Sequence, residues 1–228
     1  RICSYKNVDI QIIEGSFDDA KAACMADAEA TGKIYIPPYD DKDIIAGQGT
    51  VGLEIMNQLP DADAVVVPVG GGGLASGIAV AVKTINPDCR VYAVEPENAA
   101  SMKASIEAGK PVELASADTI ADGTAVKKPG DITYEICSSL CDGFITVTED
   151  DIRSAIAHLY LEEGITTEGA GALATAAVMT GQIPSECKKV VCVVSGSNID
   201  PELLKEIVDE ANGIQTISTT DAPAAVGP

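Results

Sequence analysis

Short apolar runs alternate with longer Ala-rich stretches along most of this chain, and the alternation predicts strands and helices in turn. Strands are expected at Asp9–Ile13, Ile34–Ile36, the Val-rich run Val65–Val69, Arg90–Val94, Phe144–Val147 and Lys189–Val194. A first helix should start after Ser16 as N-cap, with Asp18 and Asp19 in its first turn, and stop at Gly32. Ile44–Thr50, with Gly47 and Gly49, reads as a loop entering a helix over Val51–Leu59. Further helices are expected after Gly73, over Ala100–Ala108, around Thr133–Leu140, from Glu149 onward, after the small-residue turn Thr167–Ala172, and over Pro201–Ala211. Strand, Ala-rich helix and strand in succession form a βαβ unit. The fold class expected is therefore α/β, a mostly parallel sheet flanked by helices, with ligands at the carboxyl ends of its strands.

One junction stands out. Val65-Val66-Val67-Pro68-Val69 runs directly into Gly70-Gly71-Gly72-Gly73-Leu74 and then into an apolar-periodic segment. Four contiguous glycines let the backbone take positive φ and approach a ligand closely. Amides at the start of a helix, with the dipole behind them, make an anion cradle. A flexible linker is the competing reading, but linkers rarely sit flush between a buried strand and a helix. Leu74-Ala75-Ser76 replaces the Lys-Ser/Thr ending of a Walker A loop, and contiguous glycines do not match G-x-G-x-x-G. A compact monoester phosphate held by amides fits best.

Composition narrows the field. The chain has 228 residues, 46% hydrophobic but only 4% aromatic and without Trp, so its core must be built from Ala, Val, Ile and Leu. Thirty-five acids against 15 bases give a net charge of −20, which argues against nucleic-acid binding. No apolar run is long enough for a bilayer span and no signal peptide is visible, so no membrane partner is expected. Seven scattered cysteines (Cys3, Cys24, Cys89, Cys137, Cys141, Cys187, Cys192) read as free thiols in a reducing cytoplasm rather than as a metal set. His158 is the only histidine and reads as a surface or core-edge residue.

Several motifs then agree. Ile36-Pro37-Pro38-Tyr39-Asp40-Asp41, Ile45-Ala46-Gly47-Gln48-Gly49-Thr50-Val51-Gly52-Leu53-Glu54, the tetraglycine loop, Ala121-Asp122-Gly123, Thr167-Glu168-Gly169-Ala170-Gly171-Ala172 and Ser195-Gly196-Ser197-Asn198 occur in the order found in serine/threonine dehydratases. The chain resembles this family of pyridoxal-phosphate enzymes (fold type II, tryptophan synthase β-like), and within it the short catabolic threonine dehydratases, over about residues 1 to 212.

The resemblance implies pyridoxal phosphate as cofactor, an amino acid as substrate, and loss of water and ammonia from L-threonine or L-serine to give a 2-oxo acid. Serine racemase and a non-catalytic phosphate-binding segment are the alternatives. It assigns Gly70, Gly71, Gly72, Gly73 and Leu74 to the phosphate, Ser195 to the pyridine nitrogen, and Asp122, Gly123 and Glu168 to the cofactor's surroundings. By themselves, Ser195 would read as a strand-ending turn residue and Glu168 as a carboxylate favoured at a helix start. Ser197 stands where the family commonly has glycine. A cation site of serine racemase-like relatives falls at Glu95, Ala99 and Ser101, but Ser101 replaces an aspartate, so no metal is expected and Glu95 should cap.

The Ser-Phe-Lys-x-Arg-Gly stretch carrying the family's Schiff-base lysine is not found, nor is its Ser-Gly-Asn-His loop. Lys42, Lys83, Lys103, Lys127 and Lys128 lack that context, so no catalytic residue is assigned. The chain thus reads as N-terminally truncated: residues 1–40 as the remainder of a small domain, 41–215 as an incomplete cofactor-binding domain, and 216–228 as a disordered tail. Exposed strand edges in such a segment suggest a homo-oligomer or pairing with a missing half. Feedback control by isoleucine through an appended domain is not expected.

Overall fold

The computed structural model describes residues 8–14 and 17–213, and the chain divides into two units, Arg1–Pro37 and Pro38–Pro228. The expected tail 216–228, Ser16 and Cys3 lie outside the described residues.

In the first unit, helix α1 spans Phe17–Thr31 and ends at Gly32 with φ +74°, the left-handed stop its glycine anticipates. Thr31 Oγ1 donates to the Asp27 carbonyl and Lys33 pairs with the Asp27 carboxylate at 2.9 Å. The two strands expected here are absent: Asp9–Ile13 and Ile34–Ile36 have extended sequence patterns but no ladder. Ile12, Ile34 and Ile36 are 88%, 89% and 70% exposed, and a lone strand without a partner gains neither hydrogen bonds nor burial.

The second unit holds a four-stranded parallel sheet in the order β3-β2-β1-β4, with β1 Ala64–Pro68, β2 Arg90–Pro96, β3 Gly143–Val147 and β4 Val190–Cys192. Val65 pairs with Val91 on one side and Val191 on the other, and Val94 with Ile145. β1 is buried along its whole length, as a central parallel strand with a continuous apolar run should be. Helices α2 Lys42–Gln58, α3 Gly73–Ile85, α4 Ser101–Ala108 and α5 Asp131–Leu140 precede β3; α6 Glu149–Leu161, α7 Gly169–Met179 and α8 Pro201–Ala211 follow it. Two apolar clusters form the core. Val65, Val67, Ile78 and Met102 belong to one, and Val66, Val94, Ile156 and Leu173 to the other, so successive residues of β1 feed opposite faces.

Helix α2 begins nine residues before the expected Val51, and Gly47 and Gly49 lie inside it. Two facts override the glycine signal. Asp41 caps the helix, its Oδ1 accepting from the amides of Asp43 at 2.8 Å and Ile44 at 3.2 Å. The helix also lies backbone-to-backbone against α3: a Cβ on Gly52 would stand 2.8 Å from the Ala81 Cβ, and one on Gly49 3.2 Å from the Gly77 carbonyl oxygen. Helix α7 starts at Gly169, inside the expected turn, whereas the starts of α6 and α8 follow the sequence. Thr148 and Asp151 form a reciprocal capping box on α6, and Asp200 caps α8 ahead of Pro201. Among the described residues no helix is long and apolar enough to cross a membrane, and Cys24, Cys89, Cys137, Cys141, Cys187 and Cys192 are free thiols.

Candidate cofactor site at the strand ends

The glycine loop leaves the carboxyl end of β1 and opens α3, where a parallel sheet presents its ligands. Gly72 is the N-cap residue at φ +95°, a conformation that L side chains avoid. Protein packs closely behind the loop. A Cβ on Gly71 would fall within the ring of Tyr39, one on Gly70 would stand 2.9 Å from the Thr124 Cα, and one on Gly72 would meet the Met102 Cε at 2.7 Å and the Thr133 Cβ at 2.8 Å. No acceptor among the described residues takes the amides of Gly70, Gly71, Gly72, Gly73 or Leu74; the series of intrahelical bonds begins with Ser76, which donates to Gly72. With Ala75, whose amide also lacks an acceptor, six successive amides are thus left over at the positive end of a 13-residue helix. That donor set, with every glycine face backed by protein, fits a phosphate monoester.

A cavity of about 160 Å³ lies over these amides, and it collects residues from four parts of the chain: the glycine loop with Leu74, Gly123 with Thr124, Glu168 with Ala170, and Ser195. A second cavity of about 360 Å³ shares Gly73, Leu74 and Ser195 and continues along Gln48, Val51 and Val193. No lysine lines either one.

Eight of the nine residues singled out from the sequence therefore face one space. Asp122 is the exception: it is exposed, and its carboxylate turns back on the next residue, accepting from the Gly123 amide at 2.8 Å. Ser195 ends up exposed beyond β4 on the rim shared by both cavities, and its hydroxyl has no partner among the described residues.

Glu168 does not act as the helix-start carboxylate its position suggests. It is the N-cap residue of α7, yet its side chain makes no capping bond. Instead Oε2 accepts from the Asn198 amide at 2.7 Å while the Glu168 amide donates to the Gly196 carbonyl. A Cβ on Gly196 would sit 2.5 Å from Glu168 Oε1, and Thr167 Oγ1 donates to the same Gly196 carbonyl at 2.9 Å. Thr167 and Glu168 thereby fix the loop that presents Ser195. A side chain at 196 would displace the Glu168 carboxylate, which occupies the space it would need.

Sequence reasoning missed the back wall of the cradle. Tyr39 packs beneath Gly71 and Gly73, and Asp40 caps α5 with both oxygens, accepting from Asp131 at 3.0 Å, Ile132 at 2.9 Å and Thr133 at 3.2 Å. The Asp-Asp pair after two prolines could have been read as two consecutive caps. What no local pattern reveals is that the second helix capped lies 91 residues away.

Glu95, at the end of β2, is fully buried and caps α4, accepting from Met102 and Lys103 amides at 2.8 Å each. Burial pushes its carboxyl up to about 7 despite the two amides and the nearby Lys103 charge, which pull the other way. The native state then binds a proton more readily than the unfolded chain, so this group's contribution to stability is present below the ordinary value of 4.5 and declines as pH rises towards 7. The stability difference between wild type and E95Q, measured by urea unfolding, should fall across that interval and level off above it. A difference that stays flat with pH would contradict the buried-carboxyl account.

The parallel sheet flanked by helices is the fold of type II pyridoxal-phosphate enzymes. Residues 4–196 match the family model described as pyridoxal-phosphate dependent enzyme, and the chain belongs to that family. It is 44% identical over 212 residues to an L-threonine ammonia-lyase from Thermotoga maritima, covering 92% of this chain and 53% of the relative. Among solved structures, the processed form of threonine deaminase isoform 2 from Solanum lycopersicum superposes with a TM-score of 0.79 at 40% identity, covering 86% of this chain and 58% of that one. Maize serine racemase superposes with the same TM-score at 35% identity, covering 87% and 62%. The chain thus spans little more than half the length of these relatives.

Proposed function

We propose that the whole protein is a pyridoxal-phosphate-dependent threonine ammonia-lyase, converting L-threonine, and L-serine as a second substrate, to the 2-oxo acid and ammonia. The observation that carries this reading is the convergence of five acceptor-less amides, Ser195 and Glu168 on one cavity at the strand ends. In it, the amides of Gly70 to Leu74 would hold the cofactor phosphate, helped by the α3 dipole. Ser195 would offer the cofactor ring a neutral hydroxyl, and Glu168 would keep that hydroxyl in place through the Asn198 amide. When bound, the cofactor supplies the electron sink that lets an α-proton and a β-hydroxyl leave. A neutral partner on the ring makes a weaker sink than a carboxylate partner would, which suits prompt loss of a β-substituent better than transamination.

No lysine among the described residues lines the cavities, so in this reading the amine that holds the cofactor covalently comes from outside the described residues. A cytoplasmic homo-oligomer acting on free amino acids is the setting this reading implies; the free thiols and the acidic surface agree with it.

The test is an assay of the full-length protein loaded with pyridoxal phosphate. Formation of 2-oxobutanoate from L-threonine is expected, and bound cofactor without that product would refute the activity. The likeness to serine racemase favours one alternative, which D-serine formation from L-serine would reveal.

A further inference from the structure

The carbonyl of Gly71 is turned into the protein. It accepts from Thr133 Oγ1 at 2.6 Å and from the Gly130 amide at 3.3 Å, both at the start of α5. Thr133 is completely buried and lines neither cavity. Its own amide is held by Asp40, and its carbonyl accepts from Ser76 Oγ at 3.3 Å, so the backbone that carries the hydroxyl is held from two directions. In a trans peptide the C=O and N–H point opposite ways, and no cis peptide occurs among the described residues. Fastening the Gly71 oxygen to Thr133 therefore turns the Gly72 amide away from α5, toward the side on which Gly72 borders the cavity.

From this geometry we infer that Thr133 is a positioning residue for phosphate binding: its hydroxyl sets the Gly71–Gly72 peptide so that the Gly72 amide donates into the cradle. The inference rests on the proposed phosphate site and extends it to a residue that never meets the ligand. Without the hydroxyl, the Gly71 carbonyl keeps only the long bond from Gly130, and the peptide is free to rotate between two glycines that offer little resistance.

The experiment compares pyridoxal phosphate with pyridoxal, which lacks the phosphate, on the apo form of the full-length protein. In T133A the dissociation constant for pyridoxal phosphate should rise about tenfold while that for pyridoxal stays within about twofold, and T133S should recover the wild-type values. Equal weakening of both ligands, or of neither, overturns the positioning role. Should T133A fail to fold, the unsubstituted protein decides: titrating selectively labelled protein with inorganic phosphate should move the Gly72 amide proton downfield, and an unmoved resonance overturns the inference. If the unsubstituted protein binds pyridoxal phosphate no better than pyridoxal, the cradle itself is refuted and Thr133's role with it. Discrimination that survives in T133A refutes Thr133's role alone.

Discussion

Gly77→Ala should destabilise the protein by about 3 kcal/mol, a loss of about 10 °C in Tm for a domain of this size. Alanine is ordinarily the better helix former by about 0.5–1 kcal/mol, so propensity alone predicts the opposite sign. Packing decides the matter. The added methyl would overlap the Ile45 carbonyl oxygen and come within 2.5 Å of the Gly49 nitrogen and 2.9 Å of the Gln48 carbonyl carbon. All three are backbone atoms of α2, which no rotamer change can move aside. Helices α2 and α3 would have to separate. Gly47→Ala is the matched control, since a Cβ there meets nothing within 4 Å; it should stabilise by about 0.5–1 kcal/mol. Thermal unfolding of the two variants checks the argument, and equal shifts in the same direction would refute it.

Gly72→Ala should have its main effect on ligand binding. The left-handed backbone costs a non-glycine residue about 1–2 kcal/mol, and the methyl would press on the Met102 Cε and Thr133 at 2.7–2.9 Å. Relief requires Gly72 to move, and with it the amide at the centre of the cradle. Affinity for pyridoxal phosphate should fall by about a hundredfold or more, corresponding to about 3 kcal/mol, while affinity for pyridoxal changes much less. Spectroscopic titration of the two ligands would measure the difference. Unchanged phosphate selectivity would mean that the loop does not hold the phosphate.

The parts legible in the sequence are those whose cause lies in neighbouring residues. The Val run, the four glycines and the Ala-rich segment after them sit side by side, so strand, loop and helix could be read directly, and with them the strand-end location of the site. The start of α2 was hidden because Gly47 and Gly49 look like loop residues. Gly49 and Gly52 are explained by close contact with Gly77, Ile78 and Ala81, which sequence order does not reveal. Asp9–Ile13 and Ile34–Ile36 carry strand-like patterns but find no partner strand among the described residues, and a pattern cannot say whether one exists. Glu168 lay in a recognisable motif, yet its bond to the Asn198 amide spans 30 positions and could not be inferred from either segment. Thr133 looked like one more residue of an amphipathic helix. Its importance comes from a glycine carbonyl 62 residues away.

Asp40 and Asp41 are adjacent, and each closes the start of a different helix, α5 for the first and α2 for the second. Consecutive Cα atoms are about 3.8 Å apart, so this single dipeptide fixes the distance between two helix ends remote from each other in the chain. Surface turns ordinarily tolerate added residues at little thermodynamic cost. Here one extra residue would set the two ends out of step, so the segment has lost the freedom in length that loops usually keep.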